Sequence, residues 1–282
     1  MELKFDEHHW YRYNDAVHIT PNSELYKAQD LSLKRTVALK KVNITGDTPG
    51  KIAENCEKAM QEVTTMIQIS ELTARIPAIY TAYCDKKKGE VFIVMQWIGE
   101  ETLADKMKRD VSPTVFLRWM QELCLILKSM AVKDFQHKDI KPENIMFNRN
   151  NELYLIDFNI SVSVPNQAEG TMLYKAPEMG RGSKTADREK VDMFSIGVML
   201  YEYISGKLPI RGSDYDYSNT PDRKLNFYTE PIKITPDKDG GLNRIIAKLM
   251  SYDPKDRYSS YKQLISDLKA AERSLRNAEH KK

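Results

Sequence analysis

His137-Lys138-Asp139-Ile140-Lys141-Pro142-Glu143-Asn144 runs directly into Ile145-Met146-Phe147, and thirteen residues after Asn144 comes Asp157-Phe158-Asn159. The first stretch sets a carboxylate, an ammonium group and a carboxamide close together along the chain, with a proline to stiffen the turn between them. The second places another carboxylate at the end of a strand-like apolar run over 153–156. The turn-forming Asn148-Arg149-Asn150-Asn151 separates that run from the one over 145–147. Taken alone, the pattern also suits a polar loop between two short strands.

Upstream, 37–42, 79–84 and 91–97 read as strands, and Thr48-Pro49 offers an N-cap with proline at the first helical position, opening a helix over 51–72. After Trp97 the pattern turns helical. Ser112-Pro113 opens a helix in which Phe116, Met120, Leu123, Leu127 and Met130 recur at three- and four-residue steps, the spacing of a core-facing stripe. Further helices are expected over 192–205, 242–252 and 258–278. The fold class is therefore α+β with two lobes: a β-rich lobe with one main helix over 1–98, a mainly helical lobe over 99–272, and a basic tail over 273–282.

The bulk numbers exclude several classes. The chain of 282 residues carries 43 basic against 40 acidic side chains, a net +3, too small an excess to argue for nucleic acid or a membrane surface as partner. Lys86-Lys87-Lys88 before Gly89 reads as a solvated hairpin tip. Cys56, Cys84 and Cys124 are odd in number and lack metal-ligand spacing, which fits a reducing compartment. No apolar run has the length of a membrane span and the first residues lack a signal pattern, so the expected location is the cytoplasm. His8-His9, in an acidic and aromatic leader, is not read as a metal site. The oligomeric state is not legible in the sequence.

Phosphoryl transfer needs a carboxylate beside the attacking hydroxyl and oxygen ligands that hold a divalent cation on the phosphates. Asp139 can fill the first role, Asn144 and Asp157 the second, and Lys141 can neutralise charge on the transferring group. These segments resemble the catalytic loop and metal-binding triplet of the eukaryotic-type protein kinases, serine/threonine branch, and the resemblance covers 16–272. It implies ATP with Mg²⁺ (or Mn²⁺) and a protein substrate. It also makes Lys40, in Val37-Ala38-Leu39-Lys40, the phosphate-contacting lysine, with Glu62 on the following helix as its ion-pair partner; Glu54 and Glu57 are rivals for that place. Met95 matches the gatekeeper, the backbones of Gln96 and Ile98 would meet adenine, and Leu25, Ala38 and Met146 would sandwich the ring. Gly170 to Glu178 is similar to the end of an activation segment, Asp192 with Ser195 and Gly197 to the helix anchoring the catalytic loop, and Arg257 is expected to pair with Glu178. Lys141 and Thr171 place the chain in the serine/threonine branch.

Three departures qualify the resemblance. His18, Thr20 and Ser23 stand at the glycine positions of the phosphate loop, which predicts a stiffer loop and weaker ATP binding, with the Ser23 hydroxyl as a compensating donor. Asn159 replaces the glycine of the triplet, a change that tolerates positive φ. Lys138 replaces an arginine and so lacks the two-pronged grip on a phosphorylated loop. Two other readings stay open: a pseudokinase that binds nucleotide or a partner without turnover, and a small-molecule kinase of the aminoglycoside or choline type. The stretch 211–241 reads as a surface loop rather than a docking element.

Overall fold

The computed structural model describes residues 1–4, 10–133, 135–158, 173–181, 188–209 and 241–279. His8-His9, Asn159, Gly170, Thr171, the stretch 210–240 and the last three residues lie outside them, so the expectations placed there stay as sequence readings.

The chain divides into two compact units. The first is Met1–Gly99 together with the segment that begins at Ile156, and the second holds Glu100–Leu155 and the chain from Ala168 onward. A single cut near residue 98 was expected; instead Asp157 and Phe158 return to the first unit.

The first unit is an antiparallel sheet of six strands: β1 (Glu2–Lys4), β2 (Trp10–Thr20), β3 (Ser23–Asp30), β4 (Arg35–Asn43), β5 (Ile79–Asp85) and β6 (Glu90–Gln96), in the order β1-β2-β3-β4-β6-β5. In β4, Val37, Ala38 and Leu39 are consecutive and all buried, as suits a central strand covered on both faces. Val37 and Leu39 join Tyr11, Tyr26, Ala28, Phe92 and Val94 in one apolar cluster. Helix α1 (Pro49–Ser70) starts where expected: the Thr48 hydroxyl accepts from Lys51 N–H at 3.1 Å, and proline opens the first turn. Its buried stripe, Cys56, Ala59, Val63, Met66 and Ile69, lies against β5 and β6. The Lys86–Lys88 run is a hairpin tip, with Asp85 Oδ1 accepting from the N–H groups of Lys87 and Lys88. Gly89 closes it at φ +68°, where an added Cβ would lie 2.6 Å from the Ile44 carbonyl oxygen.

The second unit opens with β7 (Glu101–Thr102) and α2 (Leu103–Met107), followed by α3 (Pro113–Ala131), β8 (Ile145–Phe147), β9 (Leu153–Leu155), α4 (Arg188–Ser205), α5 (Gly241–Leu249) and α6 (Tyr261–Glu279). Strands β7-β8-β9 form a small antiparallel sheet. Every residue of α4 from Val191 to Tyr201 is buried, the mark of a helix enclosed on all sides. Residues 273–279, assigned to the tail although 273–278 also fall within the helix expected over 258–278, continue α6. Leu275 repeats the spacing of Leu268 and Ala271 and is buried with them. Beside it the buried Glu272 accepts from Gln121 Nε2 of α3 at 2.9 Å and pairs with Arg118 and Arg276. No described helix is long and apolar enough to cross a membrane.

A Cβ on Gly197 of α4 would fall 2.7 Å from Leu249 Cβ and 2.7 Å from Met250 Cγ, at the contact with α5. Gly→Ala inside a helix normally gains about 1 kcal/mol, whereas overpacking a close helix contact costs about 1–3 kcal/mol. Packing should win: Gly197→Ala is expected to destabilise by about 1 kcal/mol in urea unfolding, and a more stable variant would contradict the tight α4–α5 contact.

Candidate active site

In the second unit, the segment 137–144 is held by one buried side chain. Asp192 of α4 accepts from His137 N–H through Oδ2 at 3.0 Å and from Lys138 N–H through Oδ1 at 2.8 Å. Burial pushes the Asp192 carboxyl above its ordinary range, opposed by His137 and by these two hydrogen bonds. Lys138 thereby adopts φ +65°, a conformation that costs a non-glycine residue about 1–2 kcal/mol. Asp139 follows. Its Oδ2 lies 3.1 Å from Lys141 Nζ and accepts from Asn144 Nδ2 at 3.1 Å, while that same Nδ2 donates to the Asp139 carbonyl at 2.8 Å. Pro142–Asn144 forms a single 3-10 turn with proline at its start, which brings Asn144 back to Asp139. With its nitrogen so engaged, Asn144 presents its carboxamide oxygen as the atom suited to a hard cation. Met146 of β8 is half-buried, across from Thr102 and Tyr154.

Around this segment the expected braces are present. Arg257 grips Glu178 with two parallel bonds, Nη1–Oε1 at 2.6 Å and Nη2–Oε2 at 2.9 Å, both groups buried, and also donates to the carbonyls of Ser251 and Lys190. Ser195 Oγ donates to the Tyr174 carbonyl at 2.8 Å, and the Tyr174 hydroxyl donates to Glu202.

In the first unit, β4 carries Lys40 opposite Leu25 of β3 and Ile93 of β6, and Ala38 opposite Lys27 and Met95. Lys40 Nζ lies 2.5 Å from Asp157 Oδ1. The carboxylate that engages Lys40 in this structure is therefore Asp157, and Glu62 stays an expectation from the sequence. The physical reason is local: Asp157 takes φ +60° and delivers its carboxylate to the end of the lysine stem, with Phe158 buried behind it. Glu62 is half-buried on α1, flanking the helix's buried stripe. Ala38 and Ile98 are buried and Met95 and Gln96 half-buried. Gln96 N–H donates to the Ala78 carbonyl at 2.8 Å, so a bond from its backbone to a base would fall to its own carbonyl. Lys27 lies over the Trp97 ring at 5.2 Å. The Ser23 hydroxyl, expected as a phosphate donor, sits 2.8 Å from the Thr20 hydroxyl.

The structure thus gathers Asp139, Lys141 and Asn144 in one unit, and Lys40 and Asp157 in the other. Among the described residues, no cluster of three or more His, Cys, Asp or Glu is arranged to hold a metal by itself.

Comparison with known proteins is consistent with this geometry. Residues 21–268 match the family model described as protein kinase domain. The chain is 27% identical over 260 residues to a probable serine/threonine-protein kinase of Clostridium perfringens, covering 87% of this chain and 36% of that protein. It is 31% identical over 187 residues to Aurora/IPL1-related protein kinase 2 of Caenorhabditis elegans, covering 64% and 58% respectively. To the serine/threonine-protein kinase PknB of Mycolicibacterium smegmatis it is 26% identical over 262 residues, covering 87% and 40%. The matches therefore span between about a third and three-fifths of these relatives' own lengths.

Removing one partner of a buried ion pair costs about 3–5 kcal/mol, whereas replacing both with apolar groups is close to neutral. Glu178→Ala should accordingly lower stability by that amount in denaturant unfolding, and Glu178→Leu with Arg257→Met should recover most of it. A single variant within about 0.5 kcal/mol of the parent would show the pair to be energetically idle.

Proposed function

The chain belongs to the protein kinase domain family, and on that premise we propose that it transfers the γ-phosphoryl group of ATP to serine or threonine hydroxyls of a protein substrate. The observation that carries this reading is the Asp139 carboxylate, mostly buried and steadied by Lys141 and Asn144. Asp139 accepts the proton of the substrate hydroxyl. The hydroxyl oxygen then bonds to the γ-phosphorus, and the bond from that phosphorus to the β–γ bridging oxygen breaks, its electron pair leaving with ADP. Lys141 Nζ, 3.1 Å from Asp139, donates to the transferring phosphoryl, whose charge is spread over three oxygens.

Lys40 holds the remaining phosphates, for which it exchanges its contact with Asp157. Leu25 and Ala38 of the first unit are assigned to pack against adenine, which the Gln96 carbonyl and the Ile98 backbone fix in orientation, and Met146 is assigned to the same ligand from the second unit. Glu62 is assigned to steady Lys40 when nucleotide takes the place of Asp157. The Asp157 carboxylate of the first unit and the Asn144 carboxamide oxygen of the second are each assigned as hard oxygen ligands of the kind Mg²⁺ takes, with Mn²⁺ as a substitute. A bound divalent cation supplies charge neutralisation along the triphosphate. The three free thiols suit a reducing, cytoplasmic setting.

Incubation with labelled ATP and Mg²⁺, followed by mapping of phosphorylated residues on a generic basic protein and on the chain itself, tests the reading. Asp139→Ala should reduce transfer by about 10²–10⁴-fold, the usual contribution of a positioned base. Its affinity for ATP should stay within about twofold. Wild-type turnover in that variant would remove Asp139 from the mechanism.

A further inference from the structure

Strands β2 and β3 stay paired up to their turn, His18 with Leu25, Ile19 with Glu24 and Thr20 with Ser23, so that only Pro21 and Asn22 remain between them. This tip lies just past the lysine assigned to phosphate, since Leu25 is opposite Lys40 and Ser23 opposite Val42. Backbone N–H groups there would be the natural phosphate donors. Proline has none at position 21. The Ser23 N–H is already given to Thr20 Oγ1 at 3.0 Å, and the two hydroxyls lie 2.8 Å apart. Asn22 is held through its carbonyl, which accepts from Asn43 N–H of β4 at 2.9 Å, so the donors withheld at the tip are those of positions 21 and 23. The side chains that precede the turn on β2 include the exposed apolar Val17 and Ile19, at 53% and 69%.

We propose that Thr20, by clasping the Ser23 amide, together with Pro21, makes the first unit read the nucleoside and Lys40's single charge rather than the length of the phosphate chain. Thr20 is on this account a specificity-determining residue. The inference rests on the reading of the site as nucleotide-binding, and it commits to the ligand order: without divalent cation, ADP binds within about tenfold of adenosine through Lys40, and ATP within about tenfold of ADP through Lys141, because one charge-assisted contact is on the order of tenfold in affinity.

The test is isothermal titration of adenosine, ADP and ATP in the presence of EDTA, on the parent chain and on Pro21→Gly, Thr20→Val and Ser23→Ala, each checked for folding by circular dichroism. Pro21→Gly supplies a new amide and Thr20→Val releases the Ser23 amide, so each should raise ATP and ADP affinity about three- to tenfold with adenosine within twofold. Ser23→Ala leaves the Ser23 N–H bonded to Thr20 and should change none of the three. Should Thr20→Val fail to fold, Pro21→Gly and Ser23→Ala decide. A parent that prefers ATP over adenosine by more than a hundredfold overturns the proposal. So does unchanged ATP affinity in both amide-releasing variants. A selective loss of ATP and ADP in Thr20→Val or Ser23→Ala overturns it too, because the hydroxyls would then be phosphate contacts themselves. If no protein in the set binds any of the three ligands, with or without Mg²⁺, the nucleotide reading of the site itself has failed.

Discussion

The chemistry of the second unit depends on one buried carboxylate. Asp192 is only 2% exposed, and an ionised group removed from water costs several kcal/mol unless its lone pairs are satisfied. Two backbone N–H groups, of His137 and Lys138, satisfy it, and in doing so they fix the path of the chain into Asp139. The same helix provides the other anchors. The carbonyl of Lys190 accepts from Arg257, Ser195 holds the Tyr174 carbonyl, and Glu202 accepts from the Tyr174 hydroxyl. The Ser195 contact lies in the enclosed middle of α4, where water competes least, whereas those at Lys190 and Glu202 lie at its half-buried ends. Gly197 extends the logic to packing, since only the absence of a side chain lets α5 approach.

Both candidate constellations contain a residue with φ near +60° that is not glycine: Lys138 beside Asp139 in one unit, and Asp157 beside Lys40 in the other. Such backbone is held only where its surroundings over-determine it. At Lys138 the determinant is the hydrogen bond to Asp192. At Asp157 it includes the ion pair with Lys40 and the burial of Phe158 next to it. In each case the neighbouring functional carboxylate gains a fixed direction in return for about 1–2 kcal/mol of strain.

Much of the architecture was legible in the sequence because it is written in local patterns. Thr48-Pro49 and Ser112-Pro113 cap their helices as their chemistry requires, and the apolar runs at 37–42 and 91–96 became the sheet's interior. Pairing of Glu178 with Arg257 could be expected only through the family resemblance, since 79 residues separate them. What escaped was decided by tertiary context. Strands β1 and β2 hid in a leader whose two ladder irregularities break the alternation a strand would show. The helix over 258–278 was legible, but the packing of its end was not, because its buried side, Leu275 and Glu272, is narrow and its other residues are mostly charged or polar. Lys40 meets Asp157 through a backbone conformation that no residue type announces.

The hairpin tip shows why replacing glycines need not abolish ligand binding. A glycine-rich loop is disordered at a cost of about 1–2 kcal/mol per residue when a ligand fixes it, and it recovers that cost through amide bonds to phosphate worth about 1.5–3 kcal/mol each. In this chain Thr20, Pro21 and Ser23 remove both terms together. Hydroxyl bonds and the proline ring order the tip in advance, and the same groups withhold the amides of positions 21 and 23. The two losses are of similar size and opposite sign. On the proposed reading of the site the net effect on affinity is therefore small, and Lys40 is the principal charge of the first unit that a phosphate chain would meet.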